Sequence, residues 1–213
     1  MTTFNVETGR DKLEFAESLV REALEKVSKK LSKDDDLHVD IGWTSQEFVI
    51  EEMGGTTGKA FSSNWCEIKF NSNGENWQDH IKESAVHEYT HTWFYEKIDG
   101  RCSKIWRYVI DEALTQLMVE EILPNSNEPM KNKFSQEEVA DHWDKIKKEE
   151  LDKSTSEPST LYRNFSQKGF PNWLGYSLSY QIGQKLLENH DLKDFPDLSK
   201  KDLIKCGDEL FNN

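Results

Sequence analysis

Apolar residues recur at helical spacing in the first part of the chain. Between residues 10 and 32 they follow one another three or four positions apart, at Leu13, Ala16, Val20, Ala23, Val27 and Leu31. Because an α-helix turns once in about 3.6 residues, this spacing places them on one face and predicts an amphipathic helix. Three consecutive aspartates at positions 34–36 end it.

The pattern then changes from helical to alternating. Residues 37–43 alternate apolar and polar side chains with a period of two, which is typical of a β-strand. The segments 47–51 and 65–71 are further strand candidates. Between those two lies a turn-rich segment with three glycines, residues 54–58.

Two long helices are predicted in the middle of the chain. The first runs from about residue 76 to residue 98, with Asn76 as its cap and Asp99-Gly100 as its end. The second is strongly apolar, runs from about residue 103 to residue 123, and stops at Pro124.

The last third of the chain is predicted to be mainly helical. Ser135, with Glu138 three residues later, forms a capping box that opens a charged helix to about residue 153. A loop rich in Ser, Thr and Pro follows and leads to Asn172, which caps a helix to residue 189. Ser199 opens a short terminal helix.

Length and composition favour one globular domain over residues 1–213. The chain is 35% hydrophobic and 11% aromatic, so its 31% of charged residues does not by itself indicate disorder. We predict an α+β fold. An N-terminal α/β lobe with a small mixed sheet covers residues 1–99, and a mainly helical lobe covers residues 100–213.

Charge and the first residues limit the expected partners. The chain carries 40 acidic and 27 basic residues, for a formal net charge of -13. Since phosphate binding requires a basic surface, neither nucleic acid nor an anionic membrane is an expected partner. Residues 1–12 contain no apolar run typical of a secretory signal or a membrane span, so we expect a cytoplasmic protein. The sequence does not determine the oligomeric state.

The three cysteines, Cys66, Cys102 and Cys206, are odd in number and far apart. They contain no C-x-x-C pair, which argues against both a disulfide framework and a thiolate zinc site. We expect reduced thiols.

The segment from His87 to His91 reads H-E-x-x-H. On a helix, two histidines four residues apart point from one face and can bind a single Zn²⁺ ion. Glu88, next to the first histidine, is then placed to take a proton from the attacking water. The alternative is a helix with two surface histidines, but the neighbours Trp93 and Phe94 are typical of a buried segment.

The third metal ligand is predicted to be Glu112. The metzincin pattern is excluded because Phe94 and Lys97 occupy the positions where that pattern requires Gly and His. Glu112 lies in the apolar segment 108–114, where an uncompensated carboxylate would be costly and a metal ion would compensate it. The alternatives are Glu120 and Glu121, which lie nearer the polar end of the same predicted helix.

These residues resemble the gluzincin group of metallopeptidases, in which H-E-x-x-H lies on one helix and a glutamate ligand on the next. More closely, residues 85–96, 111–114 and 175–180 resemble a family described as predicted zinc-dependent proteases. The resemblance extends over roughly residues 50–210, and Ala113 replaces the glycine that more usually follows the glutamate. It implies a zincin-like catalytic domain with the metal-binding helix in the first lobe, a cleft between the lobes, and one zinc ion per chain.

The resemblance also implies an extended peptide or protein substrate. A strand at the rim of the cleft pairs with such a substrate, and residues 65–71, just before the metal helix, are the matching segment. Asp111 or Gln116 is a candidate to accept the second N–H of a ligating histidine.

The predicted activity is zinc-dependent hydrolysis of peptide bonds, with Glu88 as general base toward a zinc-bound water. Tyr176 and Tyr180, four residues apart on a predicted helix, are candidates for the phenol that stabilises the oxyanion. An endopeptidase is favoured. The alternatives are an aminopeptidase of the same group and a catalytically inactive, zinc-stabilised peptide-binding module.

Overall fold

The computed structural model describes residues 7–33, 36–126, 131–156, 161–162 and 169–212. These residues form an α+β fold, which confirms the predicted fold class. In chain order the elements are α1 (Glu7–Leu31), β1 (His38–Trp43), α2 (Glu47–Glu52), β2 (Thr56–Ser62), β3 (Trp65–Phe70), α3 (Trp77–Lys97), α4 (Ile105–Ile122), α5 (Gln136–Glu149), α6 (Leu174–Leu186), a 3₁₀-helix (Leu192–Asp197) and α7 (Lys200–Phe211).

The strands form a small mixed sheet in the order β1-β3-β2. β3 pairs with β1 in parallel and with β2 in antiparallel orientation, so that Ile68 lies opposite both Ile41 and Gly58. Cys66, Ile68 and Phe70 of β3 are buried, whereas the residues that alternate with them keep part of their surface exposed. One face of the sheet therefore contributes to the core.

Two predictions about the region before α3 are wrong. Residues 47–51 form the helix α2 instead of a strand; its three apolar positions are consecutive, and only Val49 is buried. The turn-rich segment 54–58 is a turn only at Gly54 and Gly55, which both have positive φ, and β2 begins directly after them. The start of β2 was not predicted because glycine is typical of turns, and the third glycine, Gly58, lies within this strand.

The prediction that residues 65–71 form a rim strand that can pair with a peptide is also wrong. β3 occupies most of that segment, and it is the central strand of the sheet. Both of its edges are hydrogen-bonded to neighbours, so it has no edge to offer a peptide. Among the described residues, the strands at the two edges are β1 and β2.

The two predicted long helices are present, with ends one or two residues from the predicted positions. α3 ends where Asp99 and Gly100 adopt positive φ, and the N–H of Gly100 donates to the carbonyl of Tyr95 at 2.8 Å. This bond satisfies a terminal carbonyl of the helix and favours glycine at that position. The capping box predicted at Ser135 is formed, and the terminal helix predicted from Ser199 also begins with a capping box.

The chain divides into two compact units, Met1–Trp93 with Val119–Glu128, and Phe94–Met118 with Pro129–Asn213. The division falls inside α3 and inside α4, so each of these helices contributes residues to both units. The organisation as a single domain, with lobes meeting at residue 99, stays a prediction.

The first unit contains the sheet and the buried face of α1. The hydroxyl of Tyr89 on α3 donates to the carbonyl of Lys33, just after α1, at 2.9 Å. In the second unit, α4 packs against α6 at Gly183, where a Cβ atom would lie 3.1 Å from the Cβ of Ala113. Across the described part of the chain, every helix is too short or too polar to span a membrane.

Candidate metal centre

α3 places His87 and His91 on one side of the helix. The two imidazole rings lie 4.8 Å apart, measured between centroids, at an angle of 72°. Both residues are buried, with 8% and 5% of their surfaces exposed. The rings are neighbours because residues four apart on a helix lie one above the other on the same face.

Glu112 of α4 completes a group of three possible ligands. The ligand atoms of His87, His91 and Glu112 all lie within 4.8 Å of one another. Glu112 is 1% exposed. Within the described ranges, no other group of three such residues meets this distance criterion.

The two alternative glutamates on α4 have other environments. Glu121 is exposed, and its carboxylate forms an ion pair with Lys30 of α1. Glu120 is half-buried and is not part of the group of ligand atoms. The structure therefore brings Glu112, and neither alternative, together with the histidines.

The three residues fit a zinc ion. Two imidazoles and one carboxylate are a donor set found in catalytic zinc sites. All three side chains are buried, and a bound cation would offset the charge of the buried Glu112 carboxylate.

Glu88 is buried at 7% exposure and lies against β2. A Cβ atom built on Gly58 would lie 2.6 Å from its carboxylate oxygen Oε1. The pKa of the nearby Cys66 thiol is raised to about 12, chiefly by burial, with the charges of Glu88 and Asp40 adding to the effect. The general-base candidate is therefore held against the sheet, beside a thiol that stays protonated.

The two tyrosines predicted on α6 have different surroundings. Tyr176 is partly exposed; its ring packs edge-on against Tyr162 at 5.3 Å and lies tilted against Trp173 at 5.6 Å. Tyr180 is buried, and its hydroxyl accepts a hydrogen bond from Gln184 at 2.9 Å. The role of either residue in catalysis stays a prediction.

Tyr108 and Tyr162 are site residues that were not predicted from the sequence. Tyr108 lies one turn before Glu112 on α4, with its hydroxyl in hydrogen-bonding reach of that carboxylate. The pKa values of both phenols are raised well above the usual range, first by burial and then by the negative charge of Glu112. Their rings pack edge-on at 4.7 Å.

A sequence signal existed for Tyr108 but not for Tyr162. Tyr108 is four residues before Glu112, and this helical spacing places both on one face of α4. Tyr162 lies in the loop rich in Ser, Thr and Pro, where no periodicity indicates which side chain turns inward.

The segment 175–180 of α6 positions Tyr162. Gly175 allows close approach, since a Cβ atom there would lie 2.6 Å from the carbonyl oxygen of Leu161 and 2.9 Å from the Tyr162 ring. The hydroxyls of Ser179 and Tyr162 are hydrogen-bonded at 2.6 Å. Residues 175–180, the third motif of the family resemblance, therefore hold the Tyr162 phenol in position.

The two candidates for histidine support lie close to Glu112 in sequence. Asp111 is fully buried, and the Cys102 thiol donates to its Oδ2 at 3.5 Å. The side-chain amide of Gln116 donates to the carbonyls of Glu112 at 3.2 Å and Tyr176 at 3.1 Å. Gln116 therefore links α4 to α6.

All three cysteines are free and buried, in agreement with the predicted reduced thiols. Burial is the main cause that raises the pKa of each: to about 12 for Cys66 and Cys206, and still higher for Cys102. None of them is therefore poised to act as a thiolate ligand or nucleophile.

The chain was compared with protein families, curated proteins and solved structures. A family model described as "Predicted Zn-dependent protease (DUF2268)" matches residues 16–205, which is most of the chain. No curated protein and no solved structure matches. The family match agrees with the resemblance seen in the three motifs and with the buried group of ligand residues. The chain belongs to this family of predicted zinc-dependent proteases.

Proposed function

We propose that this protein is a zinc metallopeptidase that hydrolyses peptide bonds, with Glu88 as the general base. The observation that carries the proposal is the buried group of His87, His91 and Glu112, with Glu88 next in sequence to the first histidine. Family membership supports the same activity class and a peptide or protein as substrate.

His87, His91 and Glu112 would hold one zinc ion per chain. When bound, zinc supplies Lewis acidity, which polarises a carbonyl oxygen and lowers the pKa of water. The buried carboxylate of Glu112 offsets part of the ion's charge and thereby favours a divalent cation over a neutral ligand.

Glu88 takes a proton from the attacking water and delivers it to the leaving amine. Its position on α3, next in sequence to His87, supports this role. The contact with Gly58 restricts the side chain and favours one orientation of the carboxylate.

A phenol stabilises the negative charge that develops on the carbonyl oxygen of the substrate. Tyr176 is the favoured donor, since it is partly exposed and packs against Tyr162, whose ring in turn packs against Tyr108, one turn from Glu112. Tyr180 is the second candidate, but its hydroxyl already accepts a hydrogen bond from Gln184.

An extended substrate would pair with β2. Among the described residues, β2 has a strand partner on one side only, and its Gly58 contacts the general base. Pairing with the open side would hold a peptide by its backbone and leave selectivity to side-chain pockets. β2 takes the place that the sequence resemblance assigned to residues 65–71.

The substitution Glu88→Gln tests the proposal. The variant should bind zinc with unchanged stoichiometry and lose at least about 99% of peptide hydrolysis, since general-base catalysis contributes about 10²–10⁴-fold. Zinc content is measured by elemental analysis, and turnover with a library of internally quenched peptides. Turnover near that of the unmodified enzyme would refute the mechanism.

The same peptide library separates the alternatives. Cleavage of N-terminally blocked peptides supports an endopeptidase, whereas cleavage of free peptides alone supports an aminopeptidase. An aminopeptidase requires an acidic side chain that binds the amine of the substrate. Glu51 and Glu52 do not favour this activity, because both are exposed at the end of α2. Stoichiometric zinc with no cleavage of any peptide would identify a binding module.

A further inference from the structure

We propose that Gly58 is a positioning residue for the general base: the missing side chain at this position of β2 provides the space in which the Glu88 carboxylate lies. The inference rests on the proposed function for its catalytic consequence. The contact itself is a property of the fold.

The contact is too close for any other residue. A Cβ atom on Gly58 would lie 2.6 Å from Oε1 and 2.8 Å from Cδ of Glu88, and closer still to Cγ. Atoms at these distances overlap. Since Cγ is near the base of the side chain, rotation of the carboxylate alone would not relieve the overlap, and the whole Glu88 side chain would have to move.

The backbone does not explain this glycine. Gly58 lies within β2, in register with Ile68 of β3 and before the register shift that follows Ala60, and it is not among the residues with positive φ. Any residue can adopt its backbone conformation. The requirement for glycine therefore comes from Glu88, in contrast to Gly54 and Gly55, whose positive φ values favour glycine independently of their neighbours.

A second contact shows that β2 and α3 run side by side. The hydroxyl of Thr56, two residues before Gly58, is hydrogen-bonded to that of Ser84, four residues before Glu88, at 3.0 Å. Two residues of strand advance about 6.6 Å and four residues of helix about 6 Å. The two contacts are therefore separated by similar distances along β2 and along α3. The hydrogen bond between Thr56 and Ser84 fixes the alignment in which Gly58 faces Glu88.

The first test compares Gly58→Ala with Gly42→Ala. Gly42 is a matched control because it also lies in a strand of the sheet, lacks positive φ, and has no atom within 4 Å of an added Cβ. We expect Gly58→Ala to lower kcat by about 10–100-fold, since small displacements of a catalytic group have effects of this size. KM and zinc content should stay unchanged, and Gly42→Ala should match the unmodified protein.

A thermal unfolding cycle tests the contact without any activity. Gly58→Ala should lower Tm in the otherwise unmodified protein, but not in the Glu88→Ala background, where the overlapping side chain has been removed. Even if Gly58→Ala alone fails to fold, the double variant should fold. An equal loss of Tm in both backgrounds, or a wild-type kcat in Gly58→Ala, would overturn the proposal.

The cycle also separates this inference from the proposed function. Glu88→Gln could retain turnover while the cycle still shows coupling between positions 58 and 88. The catalytic role of Glu88 would then be wrong, and the contact between Gly58 and the Glu88 side chain would be confirmed. If Glu88→Gln is inactive and no coupling is found, the general base stands and Gly58 has no positioning role.

Discussion

The two helices that supply the possible ligands are held in place by different kinds of contact. α3 lies against a strand, through the Thr56 to Ser84 hydrogen bond and the close approach of Gly58 to Glu88. α4 lies against another helix, through Gly183 of α6 and the amide of Gln116.

This difference separates the two proposed functions of the site, metal binding and proton transfer. The spacing of His87 and His91 is internal to one helix, whereas the contacts of α3 with β2 restrict the Glu88 side chain, the proposed general base. The position of Glu112 relative to the histidines depends on tertiary structure, with Tyr108 one turn away on α4 and the Tyr162 ring packed against that of Tyr108. Changes near Glu112 should therefore affect metal affinity, and changes near Gly58 should affect turnover.

The largest expected effect on metal affinity is that of Glu112→Gln. A neutral amide oxygen is a weaker ligand than a carboxylate, and loss of outer partners alone costs about 10–100-fold in affinity. We therefore expect zinc affinity to fall by more than about 100-fold, measured by competition with a chelating dye. Glu120→Gln is the matched control and should bind zinc normally. If the control loses zinc and Glu112→Gln does not, the third ligand has been assigned to the wrong residue.

A smaller effect is expected for Tyr108→Phe. This change removes the hydroxyl within reach of Glu112 and leaves the ring that packs against Tyr162. Zinc affinity should fall about tenfold, as for other outer partners of metal ligands. Tyr180→Phe, whose hydroxyl accepts from Gln184, should leave affinity unchanged. Equal losses in the two variants would indicate a general effect on the helices.

The remaining prediction concerns Cys66, on the α3 side, and it affects stability instead of zinc binding. Its pKa is raised to about 12, mainly by burial, so the folded state keeps a proton that the unfolded chain loses near pH 9.0. The stability that this thiol contributes is complete below that pH and declines as pH rises toward 12, by up to about 1.4 kcal/mol per pH unit. The pKa of Cys206 is also raised to about 12, so its contribution to stability declines over the same pH range.

Urea unfolding at pH 7.5 and at pH 10.5 measures this decline. Cys66→Ala should show a smaller loss of unfolding free energy between the two pH values than the unmodified protein. The cavity left by the substitution costs the same at both pH values and cancels in the comparison. Equal losses in the two proteins would mean that Cys66 does not titrate as described.

Local sequence features were the reliable part of the prediction. The histidine pair follows from spacing on one helix, and the ends of α3 and α4 follow from Asp99-Gly100 and Pro124. Glu112 could be chosen because a carboxylate among apolar residues is costly unless it is compensated. Each of these arguments requires only the neighbours of a residue along the chain.

Contacts between distant segments were the part that escaped prediction. β2 was hidden because a glycine within a strand looks like a turn when the side chain that it accommodates is 30 residues away, at Glu88. The order of strands in the sheet was not determined by any local pattern, so β3 was mistaken for an edge. Tyr162 packs against Tyr108 of α4 from a segment without periodicity.

The order β1-β3-β2 has a consequence for chain entropy. Ser63 and Asn64 alone join β2 to β3, whereas the connection from β1 to β3 passes through all of α2 and β2. Because closing a short loop costs less conformational entropy than closing a long one, the antiparallel pair is the less costly part of the sheet to assemble. The strand that contacts Glu88 is therefore built as half of a hairpin, and its pairing does not require β1 to dock first.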